Sequence, residues 1–313
     1  MTPHAVKPTP PAQDTLGTGS TGPQPVSPQG EDAPRRREGW LFIRHYLLAL
    51  QFFTRVPVTG RLATWVGFSP AMLRASAAHF PGVGWLVGGL TAGLLFGLLQ
   101  LLPAVAAAPW VAAMASTVFG VLLTGAFHED GLADLADGLG GSMDRERALD
   151  IMKDSRIGTY GAIALVLALL SKVALLALLA QVDPFLAAAA LFAGHVTSRL
   201  LPLFVIRTLP HVGDTPTSKS KPLAERIGNA GVAIGVVWWA VAMALVAWAL
   251  PAAPWPQAIL GALVGLAWMW RLLRRRLQGF TGDGLGATQQ VGEVDFLLAL
   301  AMALPASVAG VGM

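Results

Sequence analysis

The acidic side chains of this sequence are concentrated between residues 128 and 161. The segment contains eight of the 18 acidic residues of the chain, and it lies between two long apolar runs. Carboxylates this close together repel one another and resist transfer out of water, so both effects disfavour their charged form. A bound divalent cation would offset that cost. The composition of the segment therefore predicts a metal site beside an apolar region.

Three of these carboxylates have the spacing of one helix face. Asp130, Asp134 and Asp137 stand at positions i, i+4 and i+7, which lie above one another on an α-helix. Hard oxygen ligands of this kind suit Mg²⁺ or Mn²⁺, and a substrate phosphate often completes the coordination shell. We predict that these three residues bind a metal, with Asp144 returning to the same region after a glycine-rich break. The alternative is a solvated acidic helix.

A second polar cluster stands at the start of the next apolar run and comprises Lys153, Asp154, Ser155 and Arg156. A lysine and an arginine beside glycine-rich backbone suit the oxygens of a diphosphate. We assign Asp154 to the metal site and Ser155 to substrate binding. The alternative is that the basic pair only anchors the end of a membrane span.

A glycine-rich segment at 279–287 supplies one more carboxylate, Asp283. We interpret the segment as a loop in which Asp283 binds metal, while the backbone amides of Gly282 and Gly286 approach a phosphate. His128 adjoins the predicted metal face, where it would act as a general base or orient a ligand. A lone histidine is more often structural, which is the alternative for His128.

The composition indicates that these segments belong to a membrane protein. Charged residues make up only 13% of the chain, against about 25% in soluble domains, and the mean hydropathy is +0.58. A helix needs about 20 apolar residues to span a bilayer. Seven runs approach that length: 78–102, 107–127, 158–180, 184–206, 230–250, 255–271 and 294–311. We predict an all-α polytopic bundle of about seven spans, preceded by an interfacial or re-entrant helix at 41–53.

Ionisable residues within the predicted spans are costly and therefore candidates for function. His195 and Arg199 are four residues apart and share a helix face, so Arg199 is a candidate to bind an anionic substrate group. Lys172 is equally suited to an ion pair within the bundle. Glu293 begins the last predicted span and would contribute from the side of the acidic segment.

The basic residues follow the predicted topology. Nineteen of the 22 lysines and arginines fall on one side of the seven spans, and the short loops of the other side carry none. The positive-inside rule then places the N-terminus and the charged loops in the cytoplasm. The sequence pI of 9.8 is explained by this distribution, so we predict membrane lipid and no nucleic acid as a partner. The chain has no cysteine, which excludes disulfides and thiolate metal sites.

Residues 1–38 differ from the rest of the chain. They are rich in Pro, Thr, Ser, Gly and Gln and have almost no large apolar side chain, so we expect this tail to be disordered. From residue 39 to 313 we predict one membrane-embedded domain, with the charged loops forming an active site in the cytoplasm.

The motifs and their order resemble the cobalamin synthase family, the adenosylcobinamide-GDP ribazoletransferases. The resemblance covers most of residues 40–300. It rests on FTRVP at 53–57, FPGVG at 80–84, HEDGLADLADG at 128–138, IMKDSRIGTYG at 151–161, Ser198-Arg199 and TGDGLGA at 281–287.

That resemblance implies a Mg²⁺-dependent transferase of the bacterial inner membrane. Adenosylcobinamide-GDP would react with α-ribazole or its 5′-phosphate, and GMP would leave. The acidic residues predicted above would hold the metal, Lys153 and Arg156 would neutralise the diphosphate, and His128 becomes a plausible base for the attacking hydroxyl.

Two other functions remain open from the sequence. The acidic pattern loosely resembles that of CDP-alcohol phosphotransferases, but their Asp-Gly-x-x-Ala-Arg motif has an arginine where this chain has Asp134. A transporter could line its path with Lys172, His195 and Arg199, although its binding site would lie near the bilayer midplane. The polar residues of this chain gather instead at one predicted rim of the membrane.

Overall fold

The computed structural model describes residues 35–212 and 226–305. Over these residues the chain is helical, and its one extended pairing is an isolated bridge between His211 and Phe280. The predicted tail at 1–38 lies, up to residue 34, outside the described residues. The all-helical class is confirmed.

The helices follow one another along the chain with short connections. In order they are α1 (Arg35–Phe53), α2 (Gly60–Val66), α3 (Pro70–Ser76), a 3₁₀ turn (Ala77–His79), α4 (Phe80–Leu101), α5 (Ala108–Thr124), α6 (Phe127–Gly141), α7 (Arg145–Ile151), α8 (Thr159–Val182), α9 (Pro184–Thr208), α10 (Asn229–Ala249), α11 (Trp255–Arg276) and α12 (Gly282–Met302).

The structure contains five helical stretches long and apolar enough to cross a membrane, counted over the described ranges. They are the continuous stretch Pro70–Leu101 and helices α8 to α11. Helices α5 and α6 would supply a sixth span only as a pair, and they are bent by 88°. Because α6 carries four carboxylates in 15 residues, we place it outside the membrane, and α5 by itself has 17 residues, the lower end of the length that spans a bilayer. Five or six spans thus replace the seven expected.

The predicted last span at 294–311 is wrong in its bounds. Helix α12 begins at Gly282 and ends at Met302, and residues beyond 305 lie outside the described part of the chain. The early start has a local cause, since Thr281 caps the helix by accepting a hydrogen bond from Gly284 N at 3.1 Å. Residues 282–287, expected as a loop, are therefore the first turns of α12.

The sharp bend after α5 is made by two left-handed residues. Gly125 has φ +67° and Ala126 has φ +60°. The Arg55 guanidinium lies where a Cβ on Gly125 would be, so both the space and the left-handed backbone favour glycine there. Arg55 N also donates to Leu123 O at 2.7 Å, which fixes the chain after α1 against the end of α5.

Several helix ends meet at one end of the bundle, which we call the polar end. Arg276, at the end of α11, donates to Leu139 O at 3.0 Å and to Ser142 O at 2.6 Å, both at the end of α6. Phe280 N, just before α12, donates to Pro210 O after α9 at 2.9 Å. The acidic helix α6 is thus held against the ends of the spanning helices.

Small residues allow α4 and α9 to pack closely. A Cβ on Gly84 would lie 2.6 Å from His195 O, and one on Gly88 would lie 3.0 Å from His195 Cβ. Gly89, in contrast, has no neighbour within 4 Å. Close helix contact through glycine, as in other membrane bundles, explains only some of the glycines of α4.

Candidate active site

An acidic face forms where α6 packs against the start of α12. Asp130 is exposed and Asp134 partly exposed on α6, as its helical spacing predicts. A Cβ on Gly131 would lie 2.9 Å from the Cα of Asp283, so glycine lets the two helices approach at this point. Asp283 thereby joins the two α6 carboxylates although 149 residues separate it from Asp134 in sequence. We call Asp130, Asp134 and Asp283 the acidic face.

The carboxylates of the acidic face disfavour one another's charge. Burial raises the pKa of Asp134 to about 7, with further contributions from Asp283, Asp130 and Asp137. Burial and then Asp130 raise the pKa of Asp283 to about 6. These shifts mark a place where negative charge lacks a partner, which is the electrostatic condition that a cation relieves.

The acidic face fits Mg²⁺ by the chemistry of its donors. Carboxylate oxygens are the ligands that Mg²⁺ prefers. Among residues 35–212 and 226–305, no three Asp, Glu or His side chains stand close enough together to hold an ion as they are. The fit of the acidic face to Mg²⁺ therefore concerns donor type and not ligand distance.

Asp137 has a structural task that its sequence position does not reveal. Its two carboxylate oxygens accept hydrogen bonds from Gly158 N at 2.6 Å and from Gly161 N at 2.8 Å, at the start of α8. A Cβ on either glycine would collide with this carboxylate. Asp137 therefore joins α6 to α8, and its predicted role as a metal ligand stays a prediction.

The polar residues between α6 and α8 pair mainly with one another. Asp144 caps α7 by accepting from Arg147 N at 2.8 Å. Arg156 donates to both oxygens of Asp154, at 3.0 and 2.6 Å, and these hydrogen bonds lower the pKa of Asp154 to about 2. Lys153 Nζ lies 3.9 Å from Asp150. The assigned metal and diphosphate roles of these residues, and that of the exposed Ser155, stay predictions.

A cavity with aromatic walls, the phenylalanine cavity, adjoins the acidic face. Its enclosed volume is about 40 Å³. Gly282 and Gly286 line it on either side of Asp283, and Arg199 and Gln289 lie in its wall. The remaining lining residues are Phe52, Phe53, Phe80, Val83, Phe127, His128, Pro202 and Leu285.

His128 forms part of this wall and is 5% exposed. Its ring stacks on Phe53, with 6.0 Å between centroids and 19° between planes. Gly286 leaves room for this arrangement, since a Cβ there would lie 3.3 Å from His128 O. Burial and then the charge of Arg199 lower the pKa of His128 well below its usual value. The imidazole is therefore neutral, as a proton acceptor must be, but it is a weak base.

Charged residues below the cavity form a network inside the bundle. Lys172 Nζ lies 2.6 Å from Glu293 Oε1, and His195 Nδ1 lies 3.5 Å from Glu293 Oε2. Arg199 Nη1 lies 2.9 Å from His195 Nδ1. We call Lys172, His195, Arg199 and Glu293 the charge network. The predicted ion-pair role of Lys172 is confirmed, whereas Glu293 lies in the interior of the bundle and not beside the acidic face.

Two polar atoms of the cavity wall have no hydrogen-bond partner among the described residues. They are Arg199 Nε and Gln289 Oε1, and both side chains are at least 96% buried. Gln289 Nε2, in contrast, donates to Glu293 Oε2 at 2.7 Å and to Ser198 Oγ at 2.9 Å. The sequence predicted Arg199 as a binding residue but gave no sign of Gln289.

Comparison with known proteins identifies the family of this chain. A family model described as cobalamin-5-phosphate synthase matches residues 45–301. A protein of Albidiferax ferrireducens named adenosylcobinamide-GDP ribazoletransferase is 61% identical over 84% of this chain and 99% of its own length. Proteins with the same name from Polaromonas sp. and Leptothrix cholodnii are 58% and 47% identical, over 84% and 80% of this chain and 98% and 92% of their own lengths.

No solved structure matches the chain. The family model includes every residue of the acidic face, the charge network and the phenylalanine cavity. The chain therefore belongs to the cobalamin-5-phosphate synthase family, and it is a membrane transferase of cobalamin biosynthesis.

Proposed function

We propose that this protein joins adenosylcobinamide-GDP to α-ribazole or its 5′-phosphate in a Mg²⁺-dependent reaction. A ribose hydroxyl of the acceptor attacks the phosphorus next to cobinamide and forms a new P–O bond. The bond from that phosphorus to the oxygen bridging to GMP breaks, and GMP leaves with the bridging oxygen. The hydroxyl proton passes to a base, and the product is adenosylcobalamin or its 5′-phosphate.

The observation that carries this proposal is the position of the acidic face beside the phenylalanine cavity. Asp283 belongs to the acidic face, while Gly282 and Gly286 on the same helix line the cavity. Transfer from a diphosphate is catalysed mainly by positioning and by neutralising charge. Carboxylates that can hold a cation, next to a wall that contains the buried Arg199, meet both needs.

The first role in this reaction is metal binding by the carboxylates of the site. Asp130, Asp134 and Asp283 would hold Mg²⁺, which when bound neutralises diphosphate oxygens and the leaving phosphate. Asp137, Asp144 and Asp154 are further candidates for this set.

The remaining predicted residues would act on the substrates. Lys153 and Arg156 would contact the diphosphate from the segment before α8, and Arg199 would bind a polar substrate group from the cavity wall. His128, which is neutral, is our candidate to accept the hydroxyl proton.

We propose that the polar end faces the cytoplasm of the inner membrane. The basic residues gather at this end, at the close of α11 and around α7, as the positive-inside rule requires of cytoplasmic segments. Both substrates would then reach the acidic face from the cytoplasm.

GMP release by detergent-purified protein tests this function. The assay supplies adenosylcobinamide-GDP, α-ribazole 5′-phosphate and Mg²⁺, and it omits each in turn. Release that requires both substrates and is stopped by EDTA supports the transferase and its metal together. If no GMP is released with these substrates and a CDP-alcohol donor is consumed instead, the protein catalyses the reaction of a CDP-alcohol phosphotransferase.

A further inference from the structure

We propose that a groove along the exposed side of α10 binds a phospholipid with an anionic headgroup. The part of the groove at the polar end, which we call the basic pocket, lies between α1, the 3₁₀ turn and the start of α10. Its volume is about 600 Å³. The second part, the apolar groove, has a volume of about 420 Å³ and runs along α10 beside Trp85 of α4. Phe42 and Ile234 line both parts, so the two adjoin.

The basic pocket has the side chains of an anion site. Arg74 of α3 and Arg226, which precedes α10, bring two guanidinium groups to its wall. His45 and His79 add two imidazoles. Among the described residues, no carboxylate lines this pocket. Because a guanidinium offers several N–H donors to phosphate oxygens at once, the pocket favours a phosphate group.

The start of α10 adds to this preference for an anion. Gly228 is the N-cap of α10, and it has no side chain that could accept from the first backbone N–H groups of the helix. These N–H groups carry the positive end of the helix dipole. Gly228 and Gly231 both line the basic pocket, so the backbone of the first turn forms part of its wall.

The apolar groove offers no polar partner to a ligand. Its two indole N–H groups are already paired within the protein. Trp85 Nε1 donates to Trp238 O at 3.0 Å, and Trp238 Nε1 donates to His79 Nδ1 at 3.2 Å. The other residues that line the apolar groove are Phe42, Ala233, Ile234, Val237 and Val241. A hydrocarbon chain can therefore fill the groove without leaving a polar group unpaired.

The apolar groove also has about the length of an acyl chain in one leaflet. Ala233 and Val241 are eight residues apart on α10, which corresponds to about 12 Å at about 1.5 Å per residue. One leaflet contributes about 15 Å to a hydrocarbon core of about 30 Å. The rings of Phe42 and Tyr46 stack on Trp238, with 5.9 and 5.5 Å between centroids. This packing holds the wall of the groove in place.

A phospholipid matches both parts of the groove, whereas simpler ligands match only one. Free phosphate would fit the basic pocket and leave the apolar groove unused. An uncharged lipid would fill the apolar groove and leave Arg226 without an anion. Basic pockets between spanning helices are known to bind anionic lipid headgroups. The site goes beyond the proposed reaction, because its occupation does not require either substrate.

Native mass spectrometry of the full chain in detergent tests the preference for this ligand. Dioleoyl phosphatidylglycerol is titrated and compared with dioleoyl phosphatidylcholine, which has the same chains and no net charge. We expect one phosphatidylglycerol to bind about 10-fold more tightly than phosphatidylcholine. Glycerol 3-phosphate, which has no chains, should not displace it. Equal affinity for the two lipids, or displacement by glycerol 3-phosphate, overturns the proposal.

Arg226 tests the basic pocket. Arg226→Gln should weaken phosphatidylglycerol binding about 5-fold, the contribution expected of one basic residue beside an anionic headgroup, and Arg226→Lys should retain most of the affinity. Arg275→Gln is the matched control, since Arg275 is exposed in the last turn of α11 and lies outside the groove. Equal losses in Arg226→Gln and Arg275→Gln would indicate attraction to the whole surface and overturn the site.

Ala233 tests the apolar groove. This residue is exposed and lines the groove, so Ala233→Trp should fill it and weaken the binding of both phospholipids by about 10-fold. Ala267→Trp is the matched control, because Ala267 is exposed on α11 and lies outside the groove. Unchanged melting temperatures show that both variants fold. Lipid binding by Ala233→Trp at the affinity of the wild type overturns the position of the acyl chain.

The donor adenosylcobinamide-GDP is the other large anion that this groove could accept. It is added to the wild type with phosphatidylglycerol bound. Lipid that stays bound supports a lipid site separate from the reaction. Displacement of the lipid by the donor, weakened in Arg226→Gln, would make the groove a substrate site and overturn the proposal.

Discussion

The acidic face and the charge network are both dense groups of ionisable residues, but opposite charges meet in the charge network and like charges meet on the acidic face. Inside the bundle, the carboxylate of Glu293 lies 2.6 Å from Lys172 and accepts from Gln289 at 2.7 Å. On the acidic face, burial and the neighbouring carboxylates of Asp283 and Asp130 raise the pKa of Asp134 to about 7. Buried charges that are paired serve structure, whereas charges that lack a partner mark the place where a ligand binds.

The largest effect should come from removing one charge of the acidic face. We expect Asp134→Asn to lower the rate of GMP release by about 100-fold or more, because a carboxylate for the cation is lost. The protein should remain folded, with an unchanged or higher melting temperature, since the mutation relieves repulsion. Asp150→Asn is the matched control, as Asp150 is exposed and lies near Lys153. Wild-type turnover by Asp134→Asn would contradict the metal assignment.

Breaking the charge network should lower the stability of the protein, whereas the loss of Asp134 should lower its activity. Glu293→Gln leaves Lys172 charged and unpaired in the bundle, so we expect a loss of about 3–5 kcal/mol in the free energy of unfolding. The double variant Glu293→Gln with Lys172→Met removes both charges and should recover much of that loss. Thermal or denaturant unfolding in detergent measures the free energy of unfolding of each variant. A double variant as unstable as the single one would contradict a structural role for the pair.

The geometry of the acidic face can be changed without removing a charge. Gly131→Ala places a Cβ 2.9 Å from the backbone of Asp283 and must push α6 from α12, so we expect GMP release to fall about 10- to 100-fold. Gly89→Ala is the matched control, because nothing lies within 4 Å of Gly89, and it should gain up to about 1 kcal/mol of stability. Equal activity of the two variants would show that the approach of the helices is unimportant.

The smallest predicted effect is on the pH dependence of stability. The folded-state pKa values of Asp134, about 7, and Asp283, about 6, lie above the ordinary value of 3.8. The folded state then binds more protons than the unfolded state, so without metal, stability falls as pH rises from about 4 to about 7. Mg²⁺ should raise the melting temperature more at about pH 8 than at about pH 5. A flat profile for the metal-free wild type would contradict these shifts.

The features of the acidic face and the charge network that depend on helical spacing could be predicted from the sequence. The face that carries Asp130 and Asp134 depends only on helical spacing, which is a local property of the chain. The same is true of His195 and Arg199, which stand four residues apart on α9 and lie 2.9 Å apart through Arg199 Nη1 and His195 Nδ1. Features set by local periodicity were therefore predictable.

Features that depend on distant segments were not predictable in this way. A carboxylate that binds backbone N–H groups, such as Asp137, has the same sequence signature as one that binds a metal. The phenylalanine cavity is built from residues between Phe52 and Gln289, and apolar side chains carry no signal in a chain that is 54% hydrophobic. The segments at 53–57 and 80–84 match motifs of a family, but their sequence alone does not indicate that they help to form a cavity wall.

Helix α12 follows every other described helix along the chain, and this order has a consequence for how the protein is made. This helix supplies Asp283 to the acidic face, Gly286 and Gln289 to the cavity, and Glu293 to the charge network. A ribosome produces α12 after every other described helix, so each of the three features is incomplete until α12 has emerged. During synthesis Lys172 is therefore already in the growing chain before its acidic partner exists.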